Sequence, residues 1–228
     1  MADGFVTRLA RLDACAVSDA LDKLGLSGSA PGLTQQSTAQ RIAGRVVTFR
    51  LVAMDAAPPT SGPPRHLGTT AVEAAQPGDI IVIEQTTGIE AGCWGGILSL
   101  AAKLRGVAGI VADGPVRDID EARAYGLPVY CRSVTVRTAR GRVAEAFTNE
   151  PVTLAGVVVS PGDYVIADGS GVVFVREADA ERVLAAATAI ARREAAMTKA
   201  LLAGRPVSEV MGADYEHMLS PGDDRQTP

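Results

Sequence analysis

The chain has 228 residues, of which 47% are hydrophobic, and a formal net charge of -4 at pH 7. This length can bury one sizeable core, so we expect a single domain over 1-228, with a core at about 16-204 and a C-terminal tail at 205-228. Arginine and lysine are scattered among acidic residues and form no basic stripe, so no nucleic-acid partner is expected.

The N-terminus and the cysteines bear on where the protein works. The segment MADGFVTRLARLDA carries charges throughout and lacks the apolar stretch of a signal peptide, and the longest apolar runs are too short for a membrane span. Cys15, Cys93 and Cys131 lie far apart and show no paired metal-ligand spacing. We expect a cytoplasmic protein with reduced thiols and no membrane partner.

The first part of the chain predicts helices followed by a strand. FVTRLARLDACAVSDALDKLG has apolar residues at helical spacing, which indicates two short helices or one broken helix, capped at Asp13 or Ser18 and stopped at Gly25. IAGRVVTFRLVAM predicts a strand, and the proline-rich MDAAPPTSGPPRH after it predicts a surface loop. GTTAVEAAQPGDIIVIEQ predicts a short helix, a Pro-Gly-Asp turn and a strand buried on both faces.

The middle of the chain alternates helices and strands. A helix starts near Cys93 and stops at Gly106, and the apolar strand GVAGIVAD follows and ends at Asp113. The dipeptide Gly114-Pro115 predicts a turn, after which a second helix begins with Arg117.

The last part of the chain is rich in strands. LPVYCRSVT and VTLAGVVVS predict one strand each, and VSPGDYVIADGSGVVFVRE predicts a hairpin that turns at Asp168-Gly169. The run EADAERVLAAATAIARREAAMTKALLAG predicts a long amphipathic helix closed by Gly204, and SPGDDRQTP a frayed tail. Strands outnumber those of a simple alternating pattern, which favours a layered α/β sandwich.

The glycine pair Gly95-Gly96 suggests a place for an anion. The first amides of a helix have no partner within it and lie at the positive end of its dipole, so the N–H groups of Gly96, Ile97 and Leu98 fit a carboxylate or a phosphate. The alternative is that the two glycines merely let this helix pack closely on a strand.

Arg117 is unusual because helices disfavour a cation at their N-terminus, by a few tenths to about 1 kcal/mol. A substrate carboxylate would offset that cost, because a guanidinium binds carboxylates with two hydrogen bonds. Asp118 offers a hard oxygen ligand for Mg²⁺ or Mn²⁺, which a 2-oxo acid would chelate. Asp120 and Glu121 are interpreted as ordinary complements of the helix dipole.

Four other residues have side chains that are able to take part in catalysis or binding. His66 and His217 show no metal or triad spacing and are expected at the surface or at subunit contacts. Trp94 could line a cleft, although a packing anchor is the more usual role. Cys93 stands at a helix start, which lowers a thiol pKa, but without a histidine partner nucleophilic catalysis is a minor option.

The run WGGILSLAAKLRGVAGIVADGPVRDIDEARAYGLPVY, together with VSDALDKLG, RIAGRVVT and PGDYVIADGSGVVFV, resembles the RraA-like family. That family includes class II pyruvate aldolases that act on 4-hydroxy-4-methyl-2-oxoglutarate and 4-carboxy-4-hydroxy-2-oxoadipate and also decarboxylate oxaloacetate. The resemblance implies an α/β/α sandwich of the swivelling phosphohistidine-domain type. It also implies a homotrimer or a homohexamer with active sites between subunits.

The resemblance further implies a lyase that needs Mg²⁺ or Mn²⁺. Such an enzyme cleaves a 4-hydroxy-2-oxo diacid to pyruvate and a second oxo acid, or decarboxylates oxaloacetate, through a metal-stabilised pyruvate enolate. Arg117 and Asp118 would be the catalytic residues, with Arg117 in contact with the substrate and Asp118 bound to the metal ion. The backbone amides that would hold the pyruvyl carboxylate belong to Gly95, Gly96, Ile97 and Leu98.

The chain departs from the aldolase pattern at Gly96, where the aldolases carry an acidic residue that holds metal-bound water. Asp113, Glu90 or a carboxylate from a neighbouring subunit are the candidates to replace it. A non-enzymatic branch of the family binds and inhibits ribonuclease E. That branch tends not to keep the complete Arg-Asp pair, so Arg117-Asp118 favours an enzyme.

Overall fold

The computed structural model describes residues 4–59 and 65–212. Its helices are α1 (Gly4–Leu9), α2 (Ala14–Lys23), α3 (Thr69–Ala74), α4 (Gly96–Arg105), α5 (Ile119–Ala124), α6 (Ala180–Leu202) and α7 (Val207–Val210). The first strands are β1 (Ser29–Ala30), β2 (Thr34–Gln35), β3 (Ile42–Ala53), β4 (Ile80–Glu84), β5 (Gly109–Val116) and β6 (Val129–Val134). The later strands are β7 (Val143–Thr148), β8 (Val152–Leu154), β9 (Val157–Val159), β10 (Tyr164–Asp168) and β11 (Gly171–Val175).

The helix boundaries follow local signals in the sequence. The Asp13 side chain caps α2 by accepting a hydrogen bond from the Ala16 amide at 2.8 Å, so the N-terminal segment forms two helices. The helix α4 ends at Gly106, which adopts the left-handed conformation that glycine reaches without steric cost. These signals confirm the predicted helices of this part of the chain.

The central strands β3, β4, β5 and β6 are parallel, and the helices α3, α4 and α5 connect them in turn. All five residues of β4 are buried, which confirms the prediction that this strand is covered on both faces. Antiparallel strands extend the sheet beyond β3, because β10 and β7 both pair with β3, and β11 pairs with β10.

A short segment joins the two ends of this sheet. β1 pairs with β11 at one end and β2 pairs with β6 at the other, and only three residues, 31–33, separate β1 from β2. The Tyr130 hydroxyl of β6 reinforces the junction, since it accepts a hydrogen bond from Gln35 Nε2 and donates to the Gln40 carbonyl, both at 2.7 Å. The sheet is therefore curled back on itself.

Three apolar cores lie within residues 4–59 and 65–212. One lies between the parallel strands and α3 to α5, and a second lies between β10, β11 and the helices α1, α2 and α6. The third contains no helical residue and fills the inside of the curled sheet, with Val46, Ile80 and Val165 among its members. Alternate residues, such as Val47 and Ile81, point outward to the first core.

The expected layered α/β/α sandwich is wrong. A single flat sheet between two helical layers has one core on each face, whereas this mixed sheet also encloses a third core made by strands and loops alone. Alternation of apolar residues reveals which strands are buried on both faces. It does not reveal whether a helix or another strand covers each face.

Three local predictions also need correction or fall outside the described residues. The strand β5 continues through Gly114-Pro115 to Val116 with an irregular register, so no turn occurs there. The strand predicted over VTLAGVVVS is the hairpin β8–β9, which turns at Ala155-Gly156. His217, the tail at 220–228 and part of the proline-rich loop lie outside residues 4–59 and 65–212.

Within those residues no helix is long and apolar enough to cross a bilayer.

Replacing Tyr130 by phenylalanine tests the junction between the sheet ends. Burial raises the pKa of Tyr130 to about 12, so its hydroxyl keeps its proton at ordinary pH. Losing these hydrogen bonds should lower the free energy of unfolding by about 1–3 kcal/mol, measured by urea denaturation. Tyr125→Phe is the control, because the Tyr125 hydroxyl has no partner in the described part of the chain, and it should change stability by less than about 0.5 kcal/mol. Equal effects of the two substitutions would contradict the role given to Tyr130.

Candidate active site

A cleft of about 270 Å³ lies where α4 begins and β5 ends. Every residue that the sequence singled out for substrate or metal lines it. These residues are Gly95, Gly96, Ile97, Leu98, Arg117 and Asp118.

Backbone hydrogen bonds bring the two segments of the cleft together. The Cys93 amide donates to the Pro115 carbonyl at 2.8 Å, and the Arg117 amide donates to the Trp94 carbonyl at 3.0 Å. Trp94 is only 1% exposed, and its indole N–H donates to Ser99 Oγ inside α4. Trp94 is thus a packing anchor that also forms part of the cleft wall.

The amides at the start of α4 are not all free. The Gly96 N–H donates to Asp118 Oδ2 at 3.1 Å, so a side chain of the protein already uses it. The N–H groups of Ile97 and Leu98 make no hydrogen bond within residues 4–59 and 65–212. Two of the three predicted donors are therefore available to a ligand carboxylate, at the positive end of the α4 dipole.

Arg117 and Asp118 form an ion pair at the floor of this cleft. Arg117 Nε lies 3.1 Å from both carboxylate oxygens of Asp118, and the two side chains are 36% and 30% exposed. Asp118 is the N-cap of α5 and adopts a left-handed conformation with φ 58°. The neighbouring carboxylate partly offsets the arginine charge, and the two terminal nitrogens of Arg117 have no partner among the described residues.

The glycines before α4 make room for these two side chains. A Cβ on Gly92 would lie 2.9 Å from Arg117 Cγ, and a Cβ on Gly95 would lie 2.9 Å from Asp118 Oδ2. Both distances are shorter than normal contacts, so a larger residue would displace the ion pair. Glycine is required here for close approach, as the sequence suggested, but the approaching groups are side chains and not a strand.

Glu121 is the residue that the sequence interpretation missed. A Cβ on Gly96 would lie 1.6 Å from Glu121 Oε2, so the Glu121 carboxylate occupies the space of a side chain at residue 96. Side chains in the first turn of α5 lean toward its N-terminus, which directs the exposed Glu121 side chain to the backbone of Gly96. Its carboxylate makes no hydrogen bond or ion pair within the described residues. Glu121 follows Asp118 by three residues, a spacing that brings side chains close together on a helix surface. This spacing was the signal that the sequence offered.

Asp113 and Glu90, which were expected to replace the missing acid at residue 96, lie elsewhere. Asp113 is 5% exposed and is held by Arg132 at 2.6 Å and by the Ala155 amide at 2.7 Å. Glu90 pairs with Arg137 at 3.4 Å. Both line a separate cavity of about 350 Å³, so neither reaches the cleft in this chain.

A divalent ion would find few protein ligands here. Within residues 4–59 and 65–212 no group of three or more histidine, cysteine, aspartate or glutamate side chains could hold a metal. The carboxylates of Asp118 and Glu121 both reach the Gly95-Gly96 tip. Mg²⁺ and Mn²⁺ keep much of their water and bind through one or two carboxylates plus substrate oxygens, so these residues fit such an ion.

Two of the remaining candidates can be placed. His66 is exposed at the cleft edge, and its Nδ1 lies 2.9 Å from the Leu67 carbonyl. Cys93 is fully buried, and this burial raises the pKa of its thiol far above the usual range. Cys93 therefore stays protonated, and the option of nucleophilic catalysis by this thiol is wrong.

The fold and the cleft define a mixed α/β protein with a polar cleft at a helix N-terminus. A family profile described as RraA-like, Aldolase/RraA, matches residues 14–174, so the chain belongs to the RraA-like family. A crystal structure of Streptomyces coelicolor RraAS2, described as an unusual member of the RNase ES inhibitor RraA protein family, superposes with a TM-score of 0.74 at 28% identity. That match covers 84% of this chain and 94% of RraAS2.

The solved structures that this chain resembles include RraA proteins, so the expected swivelling phosphohistidine-domain type is wrong. Among curated relatives, a putative 4-hydroxy-4-methyl-2-oxoglutarate aldolase of Halalkalibacterium halodurans is 28% identical over 181 residues, covering 79% of this chain and 80% of that protein. Protein DlpA of Legionella pneumophila is 25% identical over 202 residues, which cover 89% of this chain. The match spans only 32% of the length of DlpA.

The burial of two thiols predicts the pattern of cysteine reactivity. Cys15 is exposed, whereas Cys93 and Cys131 are buried, and burial raises the pKa of both buried thiols. At mildly alkaline pH a chromogenic aromatic disulfide should react with Cys15 alone in the native protein, and with all three after unfolding. Cys15→Ser should abolish the native reaction. Rapid labelling of Cys93 in the native protein would be inconsistent with this placement.

Proposed function

We propose that this protein is a divalent-metal-dependent lyase acting on small 2-oxo acids. It cleaves a 4-hydroxy-2-oxo diacid to pyruvate and a second oxo acid, and it decarboxylates oxaloacetate. The observation that carries this proposal is a cleft lined by two free amides, a guanidinium and the Asp118 carboxylate, with the exposed Glu121 carboxylate against the Gly96 backbone beside it. The name of the Halalkalibacterium halodurans relative supports the same substrate class.

Substrate binding follows from the groups that have no partner. The Ile97 and Leu98 amides receive the substrate carboxylate, and the terminal nitrogens of Arg117 add charge-assisted hydrogen bonds to it or to the 2-keto oxygen. Gly95 and Gly96 leave the backbone bare so that the substrate reaches it. The binding groups thus neutralise the negative charge that develops when the C3–C4 bond breaks.

Asp118, with Glu121 beside it, would hold a Mg²⁺ or Mn²⁺ ion at the tip of α4. When bound, the ion supplies Lewis-acid polarisation of the 2-keto oxygen, which lowers the energy of the enolate. The Gly96 amide and Arg117 Nε fix the orientation of the Asp118 carboxylate. Asp118 Oδ1 accepts one of these hydrogen bonds and keeps a lone pair, whereas Oδ2 accepts two.

Aldol cleavage also requires an acceptor for the proton of the C4 hydroxyl. Asp113 is fully engaged outside the cleft, and Asp118 is engaged by Arg117 and Gly96. Glu121 has no partner among the described residues, so we assign it this proton, received directly or through a water molecule. Glu121 thereby takes the place of the acidic residue that the aldolases carry at residue 96.

We further propose that the protein works in the cytoplasm as a homotrimer or a homohexamer with sites between subunits. Ile97, which lines the cleft, is 79% exposed, and Leu104, near the other end of α4, is 80% exposed. Large apolar side chains gathered on one exposed helix face are typical of contact surfaces.

Binding and inhibition of ribonuclease E is the second candidate function. The printed description of Streptomyces coelicolor RraAS2 as a member of an RNase ES inhibitor family favours it. The Arg117–Asp118 pair favours the enzyme. A protein without turnover that inhibits purified ribonuclease E would support the second candidate and overturn the first.

Pyruvate release is the direct test of the lyase. Purified protein with Mg²⁺ should release pyruvate from oxaloacetate and from 4-hydroxy-4-methyl-2-oxoglutarate, as followed by coupling to lactate dehydrogenase. Arg117→Ala and Asp118→Ala should each lower kcat/KM by about 100-fold or more, because each removes a charge that the transition state needs.

Arg123→Ala is the matched control, because Arg123 also belongs to α5 but pairs with Asp120 away from the cleft. It should retain nearly full activity. A chelator should abolish turnover, and added Mn²⁺ should restore it. Turnover that persists without metal, or full activity of both cleft variants, would rule the mechanism out.

A further inference from the structure

The cleft has a second wall that the proposed chemistry does not use. Residues 138–140, in the loop between β6 and β7, line it together with His66 and Leu67. The loop is fixed to the first wall, which comprises residues 95–98 with Arg117 and Asp118, because the Gly92 amide just before that wall donates to the Arg137 carbonyl at 3.0 Å. This second wall therefore has a defined position relative to the N-terminus of α4.

Arg140 is the charged residue of this wall. Its backbone amide lies 3.3 Å from Thr138 Oγ1, but its guanidinium makes no hydrogen bond or ion pair within residues 4–59 and 65–212. Its neighbours in the loop differ in this respect. Arg137 pairs with Glu90, and Arg142 donates to the Thr138 carbonyl.

His66 is a weaker candidate than Arg140 for binding an anion on this wall. Its Nδ1 is engaged with the Leu67 carbonyl, and a neutral imidazole carries no charge. A guanidinium is always charged and presents several donors in a planar fork that matches a carboxylate. The donor on the second wall is therefore Arg140.

The balance of charge in the cleft indicates what kind of ligand Arg140 would bind. With a divalent ion bound, the carboxylates of Asp118 and Glu121 balance only about half of the positive charge that the ion, Arg117 and Arg140 carry together. A ligand with one carboxylate would neutralise Arg117 and leave Arg140 unpaired. A dianion with its charges at opposite ends matches both walls.

We propose that Arg140 binds the distal carboxylate of the substrate and selects 2-oxo diacids over 2-oxo monoacids. This inference rests on the proposed function, since it takes the first carboxylate to lie at Ile97 and Leu98. Arg140 acts on specificity and not on bond cleavage, because the distal carboxylate of a 4-hydroxy-2-oxo diacid keeps its charge throughout the reaction.

The test compares two unreactive ligands of equal chain length. 2-Oxoglutarate has the distal carboxylate and 2-oxopentanoate lacks it, and calorimetry in the presence of Mg²⁺ measures the Kd of each without any turnover. The unaltered protein should prefer 2-oxoglutarate by about tenfold or more, as expected for a charge-assisted contact near the surface. Arg140→Gln should remove this preference by weakening 2-oxoglutarate alone, and Arg140→Lys should keep part of it.

Arg137→Gln is the matched control, because it makes the same change of charge in the same loop at a residue already paired with Glu90. It should leave the preference unchanged. An unchanged preference in Arg140→Gln, with both ligands still bound, would overturn the role of Arg140 and leave the proposed function standing. Failure of the unaltered protein to bind either acid would overturn both.

Discussion

The contact on which the site depends is the one between Asp118 and the first amide of α4. Asp118 Oδ2 accepts the Gly96 N–H while Arg117 Nε donates to the same carboxylate, so one side chain joins the end of β5 to the start of α4. Only glycine at residues 92 and 95 leaves space for this arrangement. The orientation of Arg117 beside the start of α4 follows from it, whereas the amides of Ile97 and Leu98 are free because they belong to the first turn of that helix.

The same contact explains why an arginine precedes a helix that should disfavour it. Its charge is shared between the adjacent Asp118 carboxylate and the cleft, so the helix dipole is not its main partner. Glu121 completes the arrangement from the first turn of the same helix. A glycine at residue 96 and a glutamate at residue 121 are therefore one structural feature, because the second fills the space that the first leaves empty.

Much of the site was predictable because its residues are close in sequence to strong local signals. The glycine pair Gly95-Gly96 at a helix start and the pair Arg117-Asp118 can each be recognised in the sequence alone. Glu121 was not recognised because an acid in a first helical turn has an ordinary explanation, and only its distance from Gly96 supports the role that we propose for it. The curled sheet was not predictable, because β1 and β2 have two residues each and show no periodicity.

Manganese binding followed by electron paramagnetic resonance tests most directly whether Glu121 supplies the missing carboxylate. Free Mn²⁺ gives a strong signal that is lost on binding, so Kd is obtained without any assay of turnover. Glu121→Ala should raise Kd by about tenfold or more, and adding Gly96→Asp to that variant should restore binding, since the new side chain enters the vacated space. Manganese affinity in Glu121→Ala equal to that of the unaltered protein would contradict the account.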